Sequence, residues 1–286
     1  MWFNIAPPSQ FETILHQLIT TALAEDLNGG DITTKAIVPQ HLTATATIIS
    51  RQAGVVAGLH IAERVFRHLD AGITVHQHKA EGQWVRAGDV LLTLSGSAQG
   101  LLGGERVALN FLQRLSGIAT LTRQFVQAVE GTGTVILDTR KTTPGWRLLE
   151  KWAVRLGGAQ NHRLGLFDMV LIKENHIAIA GGIPQAVMAV RQALGHQYPI
   201  EIEVRNLQEL QEALPLKVDR ILLDNMPLQQ MREAVELTAG QVPLEASGGV
   251  TLQNVRAIAE TGVDYISVGQ LTHSAPAMDI SMLIGM

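Results

Sequence analysis

Residues 200–270 read IEIEVRNLQELQEALPLKVDRILLDNMPLQQMREAVELTAGQVPLEASGGVTLQNVRAIAETGVDYISVGQ. Four short apolar runs stand out: IEIEV, DRILLD, VPLEAS and DYISVG. Between them lie NLQELQEAL, PLQQMREAVELTAG and TLQNVRAIAETG, in which apolar residues recur at helical spacing. Strands that alternate with helices predict right-handed crossovers and a parallel sheet. The runs lack a clean in–out alternation, as expected of strands covered on both faces. The same rhythm begins upstream, with the runs TVILD and DMVLIK and the helical stretches PGWRLLEKWAVRLGG and GIPQAVMAVRQALG. Six strand–helix units in about 135 residues are too compact for two dinucleotide-binding halves. They predict an open, TIM-like α/β barrel.

Each apolar run ends in polar residues or glycine on its carboxyl side. TVILD leads into Thr139, Arg140 and Lys141, and MVLI into Lys173, Glu174 and Asn175. IEIEV carries Glu201 and Glu203; ILL ends in Asp224 and Asn225. PLEA leads into Ser247, Gly248 and Gly249, and YISV into Gly269 and Gln270. In a β/α barrel these ends converge on the face that carries catalytic groups. Arg140, Lys141, Arg163 and Lys173 suit carboxylates or phosphates, Arg as a bidentate fork and Lys as a point charge. Ser247, Gly248 and Gly249 are expected just before a helix, whose open N–H groups form an anion site. The turn in VGQLTHSA offers a second glycine cradle. Glu203 and Asp224 are candidates for ribose hydroxyls or for a Mg²⁺ that accompanies phosphates. The site composition therefore suggests a phosphorylated sugar, a divalent metal and a strongly anionic second substrate.

Charge is distributed unevenly. Asp138 to His176 holds seven Lys/Arg against four Asp/Glu, a net +3. The whole chain of 286 residues has 22 basic and 26 acidic residues, so the remainder stands at −7. An acidic remainder argues against general nucleic-acid binding. Within the basic segment, Arg147, Lys151 and Arg155 recur every four residues and are expected on a solvated helix face. Charged residues make up 17% of the chain. That is below the usual quarter or so, which suggests surface buried between domains or subunits. There is no cysteine, which excludes disulfides, thiolate metal sites and a cysteine nucleophile and suits the cytoplasm. MWFNIAPPSQF lacks a basic leader followed by an apolar run, so no signal peptide is expected. No apolar stretch approaches the roughly 18 residues of a membrane span.

The first part of the chain has another texture. PPSQFETILHQLITTALAEDL predicts an amphipathic helix with Phe11, Ile14, Leu15, Leu18, Ile19 and Leu23 on one face. Strand-like TATATIIS, AGVVAGL, GITVHQHKA and VLLTLSGS follow, with helical LHIAERVFRHLD among them. This predicts an N-terminal α+β sandwich domain with an antiparallel sheet, residues 1–113, before a barrel domain, 114–286. The C-terminal tail is a candidate to pack back on the first domain. EGQWVRAGDVLLTLSG has the glycine turns of a biotinyl or lipoyl hairpin but no lysine, and is read as structure. His76 and His78 alternate on one strand and are read as surface. The P-loop, the HExxH zinc motif and the nucleophile elbow are absent, and GTGTV precedes a strand instead of following one.

LDTRKTTPGWRLLEKWAVRLGGAQNHRLGLFDMVLIKENHI closely resembles the signature segment of the quinolinate phosphoribosyltransferases. The likeness continues through EDLNGGDITT, GERVALNFLQRLSGIAT, LEASGGV and GVDYISVGQLTHSA, nearly the whole chain. Trp146, Trp152 and Gln160 are mild departures, at positions expected to vary or to hold Leu, Tyr and His. The resemblance implies transfer of phosphoribosyl from phosphoribosyl pyrophosphate to quinolinate with Mg²⁺, giving nicotinate mononucleotide, pyrophosphate and CO₂ in NAD biosynthesis. It implies an α/β sandwich beside an open barrel of the seven-stranded type, and at least a dimer with sites shared across subunits. Arg140, Lys141, His162, Arg163 and Lys173 would line the dicarboxylate pocket, and Arg106 would arrive from the other subunit. Glu203 and Asp224 would hold ribose and metal, and with Lys141 would stand nearest the chemistry. Thr139 would join the substrate pocket, while Ser247 to Gly249 and Val268, Gly269 and Gln270 would cradle phosphate. The alternatives are a paralogous transferase for another pyridine or base, a barrel aldolase or isomerase acting on a sugar phosphate with Lys173 as a Schiff base, and a non-catalytic ligand sensor.

Overall fold

The computed structural model describes residues 8–285. MWFNIAP, with the absence of a leader read from it, lies outside the described residues, as does Met286. The chain opens with helices α1 (Pro8–Leu27) and α2 (Ile32–Ile37), then strands β1 (Thr43–Ser50) and β2 (Gly54–Val55). Helix α3 (Leu59–Leu69) precedes β3 (Thr74–Gln77), β4 (Trp84–Val85) and β5 (Val90–Ser97). A long helix, α4 (Ala98–Ala128), leads to β6 (Val135–Leu137), α5 (Arg147–Gly157) and β7 (Val170–Ile172). Helices α6 (Glu174–Ala180) and α7 (Ile183–Leu194) then introduce β8 (Ile200–Val204), α8 (Leu207–Ala213) and β9 (Arg220–Asp224). The chain closes with α9 (Leu228–Thr238), β10 (Leu244–Ser247), α10 (Val255–Ala259), β11 (Tyr265–Ser267), α11 (Gln270–His273) and β12 (Ile280–Gly285).

These elements form two compact units. The first holds the residues up to 123, then 143–158, and those from 275 on; the second holds 124–142 and 159–274. The expected cut at 113/114 falls inside α4, and so does the first passage between the units, at 123/124. The chain passes between the compact units at 123/124, 142/143, 158/159 and 274/275.

The first unit is an α+β assembly around a four-stranded antiparallel sheet of order β12-β1-β5-β3. Its edge strand β12 comes from the C-terminal tail, with Ser50 opposite Ile280 and Thr45 opposite Gly285. Phe11, Leu15, Ile19 and Leu23 of α1 are buried, as their helical spacing requires. Gly117 of α4 allows the tail to run close, since a Cβ there would lie 2.0 Å from the Pro276 carbonyl oxygen. Lys151 overturns an expectation: with α5 enclosed nearly all round, it is fully buried instead of solvated, beside buried Glu150. Arg155 alone of the three helix cations is exposed. Glu150 accepts from Arg114 Nη2 (2.9 Å) and from the Thr143 amide and hydroxyl (3.0 and 2.8 Å). Trp146 stacks on Phe111 with centroids 4.7 Å apart.

The second unit is built on a parallel six-stranded sheet of order β6-β11-β10-β9-β8-β7. The end strands β6 and β7 are not neighbours in that order, so the barrel is open. The resemblance implies a seven-stranded type; the additional pairing is one isolated bridge between Leu137 and Gln160, too short for a strand. Ile202, Ile221, Leu223, Ala246 and Ile266 are fully buried, the pattern of strands covered on both faces. Among the described residues no single helix is long and apolar enough to cross a membrane; one bent pair, α6 with α7, passes by length and composition.

Candidate active site

The carboxyl ends of the second unit's strands surround a cavity of about 510 Å³, within the usual range for small-molecule sites. Eleven of the residues expected there line it: Thr139, Arg140, Lys141, His162, Arg163, Lys173, Glu203, Asp224, Ser247, Gly248 and Gly249. Leu171, Leu222, Asn225, Glu245 and Ser267 join them. Side chains on a strand share a face at every second position. Leu171, Leu222 and Glu245 stand two residues before Lys173, Asp224 and Ser247. Counting two positions inward from each strand end finds them.

Four expected residues lie elsewhere. Arg106 is exposed on α4 in the first unit. Val268 is buried, its amide donating to the Leu137 carbonyl. Gly269 sits against Lys141, for a Cβ there would lie 2.9 Å from the lysine Cδ. Gln270 begins α11 and is half-buried. The second glycine turn thus backs Lys141 and does not form cavity wall.

The turn bearing Arg140 and Lys141 is held by short-range bonds. The Lys141 amide donates to Thr139 Oγ1 (3.0 Å), and Thr272 Oγ1 donates to the Lys141 carbonyl (2.8 Å). Opposite, Arg163 Nη1 donates to the Met169 carbonyl (3.1 Å). Burial, and next the Arg140 guanidinium, hold Arg163 below its ordinary pKa. An anion between these cations would relieve that repulsion. The Arg163 amide donates to His162 Nδ1 (2.8 Å), so the ring proton sits on Nε2. Nε2 lies 2.9 Å from Glu201 Oε2 and 3.5 Å from Glu245 Oε2. Both ring nitrogens are engaged within the protein.

Beneath the cavity, Arg220 Nη1 lies 2.8 Å from Glu245 Oε2 and 4.0 Å from Glu201 Oε1, with its guanidinium over the Tyr265 ring at 4.2 Å. Burial, and next the neighbouring Glu201 charge, push Glu245 up to about 7; burial likewise raises Glu201. His162, Glu201 and Glu245 present ligand atoms within 4.8 Å of one another, yet Arg220 already supplies the countercharge there. Nitrogen and guanidinium in that cluster make it a poor match for Mg²⁺, which takes oxygen ligands. Glu203 and Asp224 are the better match, as two carboxylates on the cavity wall. Burial raises the Glu203 pKa, and the Asp224 charge raises it further. A divalent cation would offset that like-charge repulsion. Lys173 Nζ stands 3.5 Å from Glu203 Oε2.

Ser247 to Gly249 do not open a helix, as α10 begins only at Val255. Gly248 and Gly249 instead have φ of +99° and +60°, which suits glycine. A Cβ on Gly248 would lie 2.1 Å from Asn225 Oδ1. Backbone N–H groups of such a bare turn can still bind an anion, without a helix dipole.

Comparisons with known proteins agree with this fold. Residues 31–116 match the N-terminal domain of quinolinate phosphoribosyl transferase, and 118–283 match its C-terminal domain. The chain is 49% identical to a probable nicotinate-nucleotide pyrophosphorylase [carboxylating] of Synechocystis sp., over 92% of this chain and 90% of that one. It is 43% identical to quinolinate phosphoribosyltransferase [decarboxylating] 2, mitochondrial, of Nicotiana glauca, over 98% of this chain and 85% of the relative. The crystal structure of NadC from Streptococcus pyogenes superposes with a TM-score of 0.93 at 40% identity, covering 98% of each chain. With its two domains, its barrel and its cation-lined cavity, this chain belongs to the quinolinate phosphoribosyltransferase family, the decarboxylating pentosyltransferases of pyridine-nucleotide biosynthesis.

Proposed function

We infer that this cavity joins quinolinate to phosphoribosyl pyrophosphate with loss of CO₂, and that the basic segment exists to read a dicarboxylate. The observation that carries this is the convergence of Arg140, Lys141, His162, Arg163 and Lys173 on one cavity. Five basic side chains exceed what one carboxylate requires. Quinolinate and phosphoribosyl pyrophosphate are both anionic, and fixed cations offset their repulsion. The pyridine nitrogen attacks the anomeric carbon while the C–O bond to pyrophosphate breaks, through an oxocarbenium-like state. The C2–carboxylate bond then breaks, CO₂ leaves, and the electron pair remains on C2 beside the cationic ring nitrogen until C2 takes up a proton. Positioning and charge compensation supply the acceleration, so no protein nucleophile is assigned.

Glu203 and Asp224 would hold ribose hydroxyls and Mg²⁺, and Ser247, Gly248 and Gly249 would take phosphate. Mg²⁺ bound there would neutralise pyrophosphate charge. Lys141 would face the same oxygens, backed by Gly269. The aldolase alternative loses ground because Lys173 is half-exposed and ion-paired with Glu203, whereas a Schiff-base lysine is activated by a desolvated pocket or a second cation. Incubating the protein with phosphoribosyl pyrophosphate, Mg²⁺ and either quinolinate or nicotinate tests this reading. Nicotinate mononucleotide from quinolinate alone, abolished by a chelator, is expected. Product from nicotinate alone would replace the reading with the paralogue.

The protein on this reading works in the cytoplasm as a homo-oligomer, at least a dimer, with Arg106 entering the neighbour's cavity. Exposed Leu166 and Phe167, at 72% and 67%, follow closely on the cavity's Arg163 and suit burial against a second copy. Mixing inactive Arg106→Ala and Lys141→Ala proteins, with subunit exchange confirmed, is expected to restore activity through one intact composite site. A mixture as inactive as its parents would remove Arg106 from the site.

A further inference from the structure

The basic side chains of the cavity come from two segments that the chain separates. It leaves the second unit after Thr142 and returns at Ala159. Arg140 and Lys141 lie before this excursion, and His162 and Arg163 after it. Local sequence therefore does not set their spacing. Within the second unit, the Asp138 side chain joins both segments. Asp138, directly before Thr139, is fully buried. Its Oδ1 accepts from the His162 amide (2.8 Å) and its Oδ2 from Asn161 Nδ2 (2.6 Å). Its amide donates to the Gln160 carbonyl (3.2 Å), and the Gln160 amide donates to the Ile136 carbonyl (2.9 Å). This short pairing sits on the edge of β6 that lacks a strand neighbour.

We propose that Asp138 is a positioning residue that sets the distance between the Arg140/Lys141 turn and the His162/Arg163 segment, and so tunes the cavity to two adjacent carboxylates. The proposal rests on reading the cavity as the quinolinate site. The carboxylate is acceptor-only, and both of these contacts offer it an N–H. An amide in its place keeps the shape but turns one acceptor into a donor facing a donor. Either Asn161 or the His162 amide then loses this bond, and the second segment shifts. Displacement by about 1 Å can cost on the order of 100-fold in a preorganised site. The phosphate-side residues Ser247 to Gly249 stand on β10 and its following turn, which this shift does not need to move.

The test is a reciprocal exchange: Asp138→Asn, Asn161→Asp, and both together. In the double variant the amide introduced at position 138 would donate to the carboxylate introduced at position 161, so the bond re-forms reversed. Each single variant is expected to raise the KM and the Kd for quinolinate roughly tenfold or more, with the KM for phosphoribosyl pyrophosphate within about twofold. The double variant is expected to recover most of that loss. Thermal unfolding of all four proteins separates positioning from folding. Single variants with unchanged quinolinate Kd, or a double that regains its Tm without regaining affinity, would overturn the proposal. Equal losses for both substrates would do the same. Native protein that binds quinolinate in calorimetry yet forms no product would sink the functional reading alone, since the Kd comparison still judges Asp138.

Discussion

Replacing Arg140 by alanine is expected to lower kcat/KM for quinolinate by about two to three orders of magnitude, with the KM for phosphoribosyl pyrophosphate changed by only a few-fold. The reason is geometric and electrostatic. Arg140 shares the cavity wall with Arg163, whose charge is disfavoured by burial and next by Arg140, and an anion between them would offset this. A carboxylate there receives a charge-assisted pair of bonds in a partly desolvated setting. Losing one partner of such a pair costs about 2–5 kcal/mol. Arg140→Lys keeps the charge and loses the planar fork, so it should recover only part of the deficit. Steady-state kinetics with each substrate varied in turn decides the matter. Equal losses toward both substrates would place Arg140 on the phosphate side instead. Full recovery by lysine would mean that charge alone, and not bidentate geometry, reads the substrate.

Much of this site is legible in the sequence because strand ends in a barrel must converge. Thr139, Lys173, Glu203, Asp224 and Ser247 each sit at or just past the end of an apolar run, and each lines the cavity. The barrel's register explains what is harder to see. Glu203 pairs across from Leu222, and Glu245 from the same leucine on its other side, so one layer carries both cavity floor and wall. Glu245 reads as the polar member of a strand until alternation is followed inward from Ser247. Long-range exchanges leave less trace. The excursion of residues 143–158 into the first unit reads locally as one more barrel helix. Its burial of Lys151 depends on tertiary surroundings, whereas spacing by four residues reports only a shared helix face. The contribution of β12 to the first unit's sheet likewise rests on pairings more than 200 residues apart in sequence. The turn at Gly248 is legible from its paired glycines. The helix expected directly after it starts later because Asn254, bonded to Gly249 and Thr251, folds the intervening residues into a turn first.

Removing Arg220 is expected to destabilise the fold by about 3–5 kcal/mol near pH 8, a large share of what holds a domain of ordinary stability together. Arg220→Met keeps much of the side-chain volume but strands Glu201 and Glu245, both fully buried, without their nearest guanidinium. The sign with pH follows from the direction of the shifts. Glu245 ordinarily titrates near 4.5 and is pushed up to about 7 by burial and by Glu201, and Glu201 is raised by burial. A carboxyl with a raised folded pKa keeps its proton where the unfolded chain has lost it. Its stabilising contribution is full below about 4.5 and disappears as pH rises through about 7. Without Arg220 the ionised forms become costlier still, so the variant's deficit should be greatest above neutrality and shrink toward about pH 5. Urea unfolding at about pH 5 and about pH 8 measures that difference. Adding Glu245→Gln to the variant should return part of the loss at the higher pH, because one buried charge is gone. A deficit equal at both pH values would assign the role of Arg220 to its packing over Tyr265. In that case the acidic layer beneath the cavity would be held neutral by burial alone, and His162 would meet carboxylic acids there instead of a carboxylate.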